Sequence, residues 1–406
     1  MKIKVQLSVM MFLQFFIWGG WFVTMGSYLS NTLHASGAQI GAAYSTQSWG
    51  AILAPFIIGL IADRYFNAER VLAVLHLAGS VLLYLAARSA SFDGFFPYLL
   101  AYMMLYMPTL ALVNSVSFRQ LQDPSQEFSR LRVWGTVGWI VAGLAISYGF
   151  SWDAPDAIAA GRLGNTFLMC AGASLLPGVF SLALPATPPA GQAESRGLRD
   201  IIGLDALRLL ADRNFLVFFV SSVLICIPLA FYYQNTNLFL TELHVANATG
   251  KQTIGQMSEV LFMLLLPIFL GRFGMKITLL VGILAWALRY VLFAFGDAGS
   301  GVALLLIGIA LHGVCYDFFF VSGQIYIDSK AGKNIKSAAQ GMITLATYGV
   351  GMLIGFRAAG WATDLHATAG THDWKPIWLY AAAFAAVVFV IFSLSFRNES
   401  VQYRKS

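Results

Sequence analysis

The sequence predicts an all-α membrane protein with twelve transmembrane helices. Hydrophobic residues make up 58% of its 406 residues and charged residues only 11%, whereas about a quarter of an ordinary soluble domain is charged. The apolar segments are long and continuous, which favours helices over the alternating strands of a membrane β-barrel. The net charge of +6 is explained by basic loops on the cytoplasmic side of a bilayer, so we do not expect nucleic acid as a partner.

Twelve apolar segments of roughly the length that a spanning helix needs can be marked along the chain. They lie at residues 6–29, 38–62, 70–90, 95–118, 131–150, 164–184, 214–240, 254–271, 276–296, 302–327, 336–361 and 374–396. A polar connection that is rich in proline and charge separates the sixth segment from the seventh. We therefore predict a six-helix half at 1–184, a cytoplasmic linker with a short amphipathic helix at 185–213, and a second six-helix half at 214–406.

Most of the 25 lysines and arginines fall in alternate connections between these segments. The positive-inside rule then predicts that both termini are cytoplasmic and that the protein is a multi-pass protein of the inner cell membrane. The first apolar run extends to about Tyr28, which is too long for a cleavable signal. The three cysteines lie in apolar segments, so no disulfide framework is indicated.

Two acidic side chains lie deep in the apolar segments, Glu259 in the eighth and Asp317 in the tenth. A buried carboxylate in a bilayer costs a few kcal/mol, about 3 on insertion scales, so each predicts a function. Asp317 fits a substrate hydroxyl acceptor or a protonation site, and the alternative is an ion pair with Arg289. Gln256 lies one turn from Glu259, and the pair suits a polyhydroxylated ligand. The alternatives for that pair are a helix–helix contact or an outer gate.

The fifth segment presents a polar and aromatic stripe. Arg132, Thr136 and Trp139 are spaced so that they share one helix face. They offer a cation, a hydroxyl and a large ring to a ligand, which makes them candidate substrate contacts. The alternative for Arg132 alone is an anchor at the cytoplasmic end of the segment.

The seventh segment ends in aromatic and amide side chains. Gln234 and Asn237 are three residues apart and share a face, and Tyr233 precedes them. Tyrosines near the end of a span are typical of the interfacial belt, whereas amides are less so. These three residues are further candidates for substrate binding.

No motif in the chain predicts an enzyme. A phosphate-binding glycine loop of the GxxxxGK type and metal-ligand spacings are both missing from the sequence. His312 and Asp317 are five residues apart, so on one helix they point about 140° away from each other. We therefore expect no enzymatic activity, no cofactor and no metal.

Two resemblances connect the chain to known transporters. Residues 59–64, Gly-Leu-Ile-Ala-Asp-Arg, resemble the loop signature between helices two and three of major facilitator transporters. Five further sets of residues resemble the nucleoside:proton symporter family: Phe12–Phe15 with Trp18 and Gly19, Arg132–Gly138, Gly255–Glu259, Asp317–Phe319 with Ser322 and Gly323, and Ser337–Met342.

The second resemblance implies proton-driven nucleoside uptake by alternating access in a major facilitator fold of two six-helix halves. In that family, the site is a central cavity where polar residues hold the ribose and aromatic rings stack on the base. Matched by motif, the family's polar site residues correspond to Arg132, Thr136, Gln256, Glu259 and Asp317.

The chain departs from a well-studied family member at three aromatic positions. Trp139 and Tyr316 stand where that member has phenylalanine, and His312 stands where it has tyrosine. Stacking on a base stays available, while the base preference is left open. The resemblance implies a nucleoside such as uridine or adenosine and a proton as partners, with either Asp317 or Glu259 carrying the proton. We expect a monomer in the lipid bilayer.

Two other functions remain as alternatives at this point. A proton-coupled sugar or polyol carrier of the same fold would need the carboxylates and amides, but it has less use for stacking rings. A receptor or scaffold without transport activity gives no reason for Glu259 and Asp317 to be buried.

Overall fold

The computed structural model describes residues 2–57, 65–122, 124–188 and 204–399. Its helices, in chain order, are α1 (Lys2–Phe22), α2 (Met25–Thr32), α3 (Gly37–Ile57), α4 (Ala68–Ala87), α5 (Phe92–Gln120), α6 (Pro124–Leu144), α7 (Pro155–Ala159), α8 (Gly164–Phe180), α9 (Arg213–Glu242), α10 (Ala248–Phe295), α11 (Val302–Cys315), α12 (Ser322–Thr344), α13 (Met352–Leu365) and α14 (Trp374–Ser395). Two short strands, β1 (Ala367–Thr368) and β2 (Thr371–His372), pair antiparallel.

Three π-helical segments interrupt or extend these helices. They are Ala145–Gly149 after α6, Tyr316–Val321 between α11 and α12, and Leu345–Gly351 between α12 and α13. Short 3₁₀ helices cover Ser181–Ala183 and Leu204–Ala211. The second of these lies in the predicted amphipathic linker helix and packs against α12, so residues 204–211 of the linker form a 3₁₀ helix.

Ten helices in the described ranges are long and apolar enough to cross a membrane. One of them, the 48-residue α10, contains two predicted spans, because Gly274 leaves helical geometry at φ 75° and ψ 176°. Glycine adopts such a positive φ without steric cost. The second predicted span, 38–62, is described only as far as Ile57, the end of α3, and the motif at 59–64 lies outside the described residues. The predicted all-α membrane class is confirmed.

The chain forms two compact units. The first contains Met1–Gly197 together with Asn237–Thr253, and the second contains Leu198–Thr236 and Ile254–Ser406. Asn237–Thr253 comprises the end of α9 and the start of α10, and is called the α9–α10 segment below. This segment is grouped with the first unit although its chain neighbours on both sides belong to the second.

In the first unit, α1 packs on α6 and α8, α4 packs on α5 and α8, and α3 packs on α5. Helices α1 and α6 approach each other closely at Gly138, where a Cβ would lie 2.2 Å from the carbonyl oxygen of Phe12. Small residues allow such close packing, which holds membrane helices together where lipid supplies no hydrophobic driving force. This contact fixes the face of α6 that carries Arg132, Thr136 and Trp139 against α1.

In the second unit, the region after α14 is tied to the beginning of α9 and to α12. Lys330 Nζ lies 3.0 Å from Asp212 Oδ2 and 2.8 Å from Glu399 Oε2. Asn214 Nδ2 donates to Glu399 Oε1 at 2.6 Å. Burial tends to raise the pKa of Asp212, but the Phe215 N–H and the Lys330 ammonium outweigh it and hold that pKa below its usual value. These bonds tie α12, at Lys330, to the beginning of α9 and to the residues that follow α14.

Candidate functional site

Asp317 lies at the start of the π-helical segment Tyr316–Val321. Such segments are rare and frequently mark functional sites. The side chain is fully buried, at 0% exposure, and neither carboxylate oxygen has a hydrogen-bond partner among the described residues. A charged, unpartnered carboxylate inside a membrane protein is costly. A proton or a substrate hydroxyl would remove that cost.

The alternative partner, Arg289, lies against the opposite face of the same helix. Its Nε donates to the carbonyl oxygen of Gly308 at 3.0 Å, and its guanidinium carbon lies 4.0 Å from the centroid of the Tyr232 ring. Gly308 and Asp317 are nine residues apart, which places them about 180° apart around a helix. The ion pair between Asp317 and Arg289 is therefore not formed. The two residues lie at a similar depth in the membrane, but Arg289 packs against the side of the helix that is opposite Asp317.

The face of Asp317 instead turns toward the part of α10 that precedes Gly274. The Gly313 N–H donates to Ser258 Oγ at 3.0 Å, and a Cβ at Gly313 would lie 2.5 Å from the Ser258 carbonyl oxygen. Asp317 follows Gly313 by four residues and so shares its face. Glu259 is half-buried and belongs to the same contact, since a Cβ at Gly313 would lie 2.6 Å from its backbone nitrogen. The two carboxylates selected from the sequence are thus brought together, with half-buried Gln256 one turn before Glu259.

An aromatic group surrounds His312, which is 3% exposed. Its ring stacks on Tyr232 with centroids 5.1 Å apart and planes at 17°. The Tyr233 ring meets it edge-on, with centroids 6.3 Å apart. The Tyr316 ring is tilted by 32° to it, with centroids 5.9 Å apart. The predicted site residues Tyr233, His312 and Tyr316 therefore lie together. Tyr232 joins them although it was not predicted as a site residue, and it belongs to the same aromatic run as Tyr233.

The predicted stripe on α6 lies beside the aromatic face of α1. The Arg132 guanidinium carbon lies 4.0 Å from the centroid of Phe15. Trp139 and Trp18 meet edge-on with centroids 5.7 Å apart, and the Trp18 Nε1 has no hydrogen-bond partner among the described residues. Thr136 is half-buried between Arg132 and Trp139. The stripe offers a cation, a hydroxyl and indole rings within the first unit.

Gln234 is engaged with α13 in this structure. The side chain is completely buried. With its amide oriented as the neighbouring donors and acceptors require, its nitrogen donates to the Phe356 carbonyl oxygen at 3.1 Å and its oxygen accepts from the Gly360 N–H at 3.2 Å. A substrate would have to compete with these two backbone partners, so the binding role of Gln234 stays a prediction.

Asn237 belongs to the first unit, whereas Gln234 belongs to the second. The Oδ1 atom of Asn237 accepts from Ser27 Oγ at 2.7 Å, and its Nδ2 donates to Gln252 Oε1 at 2.7 Å and to Thr249 Oγ1 at 3.1 Å. Both amide protons are therefore used within the α9–α10 segment. In this state Asn237 holds the segment to α2, and its role in binding substrate also stays a prediction.

The beginning of α10 is capped by side chains that lie about 100 residues earlier in the chain. Asp153 Oδ2 accepts from the Thr249 N–H at 3.0 Å, and Ser147 Oγ accepts from the Gly250 N–H at 2.7 Å. Ser147 also donates to Asp153 Oδ2 at 2.5 Å. The first N–H groups of a helix have no partner within the helix, so Asp153 and Ser147 satisfy two of them.

Replacing Asp153 with alanine is expected to destabilise the α9–α10 segment, because the Thr249 N–H loses its acceptor. Loss of an N-terminal cap costs about 0.5–2 kcal/mol. The measurements are the thermal unfolding midpoint and the hydrogen-exchange protection of the Thr249 amide, both of which should fall. Asp156→Ala is the matched control, since Asp156 is exposed in α7 and should leave both unchanged. Equal protection in the Asp153 and Asp156 variants would contradict the capping role.

A buried polar network in the first unit was not predicted. His76 Nε2 lies 2.9 Å from Gln14 Oε1 and Gln14 Nε2 donates to Thr109 Oγ1 at 2.7 Å. The other ring nitrogen of His76 lies 3.2 Å from Ser174 Oγ, and Tyr106 donates to the Gln14 carbonyl oxygen at 2.5 Å. These bonds join α1, α4, α5 and α8. In the sequence, these residues stand out only as isolated polar side chains in apolar segments. That pattern does not predict which of them bond to each other.

Comparison with known proteins supplies the family. A family model described as nucleoside H⁺ symporter matches residues 1–401. The chain belongs to the nucleoside H⁺ symporter family. Among relatives from Escherichia coli (strain K12), the protein YegT is 45% identical over 98% of this chain and 95% of its own length. The xanthosine permease is 37% identical over 98% and 96%, and the nucleoside permease NupG is 33% identical over 99% and 98%.

Solved structures agree with this membership. The crystal structure of the nucleoside transporter NupG matches the symporter with a TM-score of 0.87 at 32% identity, covering 98% of this chain and 100% of that one. A POT family transporter matches with a TM-score of 0.73 at 13% identity, which bears on the fold alone. The predicted symporter family and the predicted major facilitator fold are therefore confirmed.

Proposed function

We propose that this symporter takes up nucleosides together with protons, and that Glu259 and Asp317 link the two. Family membership establishes the proton-coupled nucleoside transporter class. The single observation that carries the residue assignment is the fully buried Asp317 carboxyl, whose oxygens have no hydrogen-bond partner among the described residues, beside a second carboxylate, Glu259. A proton and a hydroxyl-bearing substrate are the two ligands that would complete such a pair.

In this proposal, Gln256, Glu259 and Asp317 bind the ribose. Carboxylate oxygens accept hydrogen bonds from sugar hydroxyls, and bonds to a charged acceptor are about twice as strong as neutral ones. The close contact of Gly313 with Ser258 brings the helices that carry these groups together. Asp317 is the first choice for the proton carrier and Glu259 the second.

The aromatic group around His312 is proposed to hold the base. The ring centroids of Tyr233 and Tyr316 lie 6.3 Å and 5.9 Å from that of His312. Nucleobases stack well on aromatic side chains, with about 1–3 kcal/mol per base in other nucleotide sites. Further proposed substrate contacts are Arg132, Thr136 and Trp139 in the first unit, and the amides of Gln234 and Asn237.

The proposal also covers location and assembly. We place the symporter in the inner cell membrane as a monomer with both termini in the cytoplasm, on the strength of the lysine and arginine distribution. A reporter fused to the C-terminus that is active only in the cytoplasm should therefore be active. An active periplasmic reporter at that position would contradict the orientation.

Uptake of labelled uridine and adenosine into cells that express the symporter tests the function. We expect uptake above that of control cells, and loss of most of it when a protonophore collapses the proton gradient. Uptake that the protonophore leaves unchanged would contradict proton coupling. Competition by free ribose as strong as that by uridine would favour the sugar carrier instead, because a sugar carrier has no use for the base.

A further inference from the structure

Tyr348 meets Tyr316 through their hydroxyl groups. It lies in the π-helical segment Leu345–Gly351, and its hydroxyl oxygen is 3.1 Å from that of Tyr316, the first residue of the π-helical segment Tyr316–Val321. Both tyrosines are half-buried. Two segments of a rare helix type therefore meet at a pair of phenols, one of which is already a proposed base contact.

The helix that carries Tyr316 has two chemically distinct faces. His312, Tyr316 and Phe320 follow each other at intervals of four residues, with ring centroids 5.9 Å and 5.4 Å apart. Asp317 lies about 100° around the helix from Tyr316 and shares the face of Gly313, which packs on α10. The carboxylate face and the aromatic face are thus separate, and Tyr348 contacts the aromatic one.

Tyr233 completes this aromatic group. Its ring meets the His312 ring edge-on, and His312 in turn lies next to Tyr316. Tyr348 therefore belongs to a set of four rings from three helices, of which the other three are proposed base contacts. It is the member contributed by the connection between α12 and α13.

We propose that Tyr348 determines specificity by hydrogen-bonding, together with Tyr316, the polar edge of the nucleobase. The inference rests on the proposed function. A phenol has one donor and two acceptor positions, so Tyr348 retains hydrogen-bonding capacity whichever hydroxyl donates within the pair. Either the Tyr316 or the Tyr348 hydroxyl can donate the hydrogen bond between them. The two hydroxyls can therefore offer the base either a hydrogen-bond donor or a hydrogen-bond acceptor. The two tyrosine hydroxyls can therefore hydrogen-bond either an amino or a carbonyl substituent of the base. A base that has neither substituent would bind more weakly.

The test compares three ribonucleosides that differ only at purine position 6. Adenosine has an amino group there, inosine has a carbonyl group, and purine riboside has hydrogen. We expect the unmodified symporter to transport adenosine and inosine with a higher kcat/KM than purine riboside. Tyr348→Phe should reduce that preference about threefold to tenfold, the range expected from one hydrogen bond of about 1 kcal/mol. Since each preference is a ratio within one variant, the amount of protein in the membrane cancels.

Two variants make the result decisive. Tyr380→Phe is the matched control, because the Tyr380 hydroxyl lies 3.0 Å from His366 Nε2 on a half-exposed side chain outside the group, and it should leave the preference unchanged. Tyr316→Phe should reduce the preference in the same way as Tyr348→Phe. It also serves as the test should the Tyr348 variant fail to reach the membrane.

Several outcomes would overturn the inference. A Tyr348 variant that loses activity equally for all three nucleosides has a structural role only. A variant that changes discrimination against 2′- or 3′-deoxyadenosine, but not against purine riboside, would place Tyr348 at the sugar. Unmodified protein that transports nucleosides without any preference at position 6 would overturn the inference alone, whereas unmodified protein that transports no nucleoside would overturn the proposed function as well.

Discussion

Asp317→Asn is expected to abolish proton-driven accumulation of nucleoside while preserving the fold. Asparagine has nearly the same shape as aspartate but cannot take up or release a proton. It also lacks the charge that strengthens hydrogen bonds to sugar hydroxyls, a loss of about 1.5–3 kcal/mol or roughly tenfold to a hundredfold in affinity. In proteoliposomes, a pH gradient should no longer drive uridine accumulation, whereas exchange of labelled for unlabelled uridine should persist at higher uridine concentrations.

Asp364→Asn is the matched control for this experiment. Asp364 is an exposed aspartate near the end of α13, so the substitution is the same but the site is not a membrane-buried one. Accumulation and exchange should both match those of the unmodified symporter. Gradient-driven accumulation by the Asp317 variant would show that another group, with Glu259 as the first candidate, carries the proton.

Gly313→Val is expected to reduce both the stability of the symporter and its transport activity. A Cβ at Gly313 would lie 2.5 Å from the Ser258 carbonyl oxygen and 2.6 Å from the Glu259 nitrogen. These are backbone atoms that cannot rotate away, so the two helices would have to separate and carry Asp317 away from Glu259. Overpacking of this kind costs about 1–3 kcal/mol or more. Thermal unfolding and uridine uptake should both fall, the latter by more than about tenfold.

Gly172→Ala provides the comparison for a glycine without such contact. Gly172 lies within α8, and a Cβ there would meet no atom within 4 Å. Alanine has a better helix propensity than glycine by about 1 kcal/mol, so this variant should be as stable as the unmodified symporter or slightly more stable. If Gly313→Val were tolerated equally well, the close approach of the two helices would not be what brings the carboxylates together.

Hydropathy was sufficient to predict the membrane class and most of the spans, because the bilayer leaves helices as the only single-segment solution. Glu259 and Asp317 could be selected because they are the only two acidic residues deep in the predicted spans. A carboxylate at that depth is costly unless it has a function or a partner. The alternative interpretation, an ion pair between Asp317 and Arg289, was wrong. The depth of each residue in the membrane can be estimated from the sequence, but the helix face on which two residues meet depends on tertiary packing.

Other features of the site depend on contacts that no local pattern encodes. In the sequence, Tyr232 resembles an ordinary interfacial tyrosine and Tyr348 is one aromatic residue within an apolar segment. Only the stack of Tyr232 on His312 and the contact of Tyr348 with Tyr316 distinguish them. The π-helical segments have no simple composition signal. Asp153 caps a helix that begins nearly a hundred residues later, so neither its role nor the grouping of the α9–α10 segment with the first unit could be predicted from the linear chain.

Proton movement that accompanies nucleoside uptake tests the central claim most directly. Purified symporter in lightly buffered proteoliposomes receives external uridine while the external pH and the uptake of labelled uridine are recorded together. We expect the external medium to become more alkaline as uridine enters, and we expect Asp317→Asn to abolish this change while uridine exchange continues. Uridine uptake by the unmodified symporter without any change in external pH would contradict the central claim.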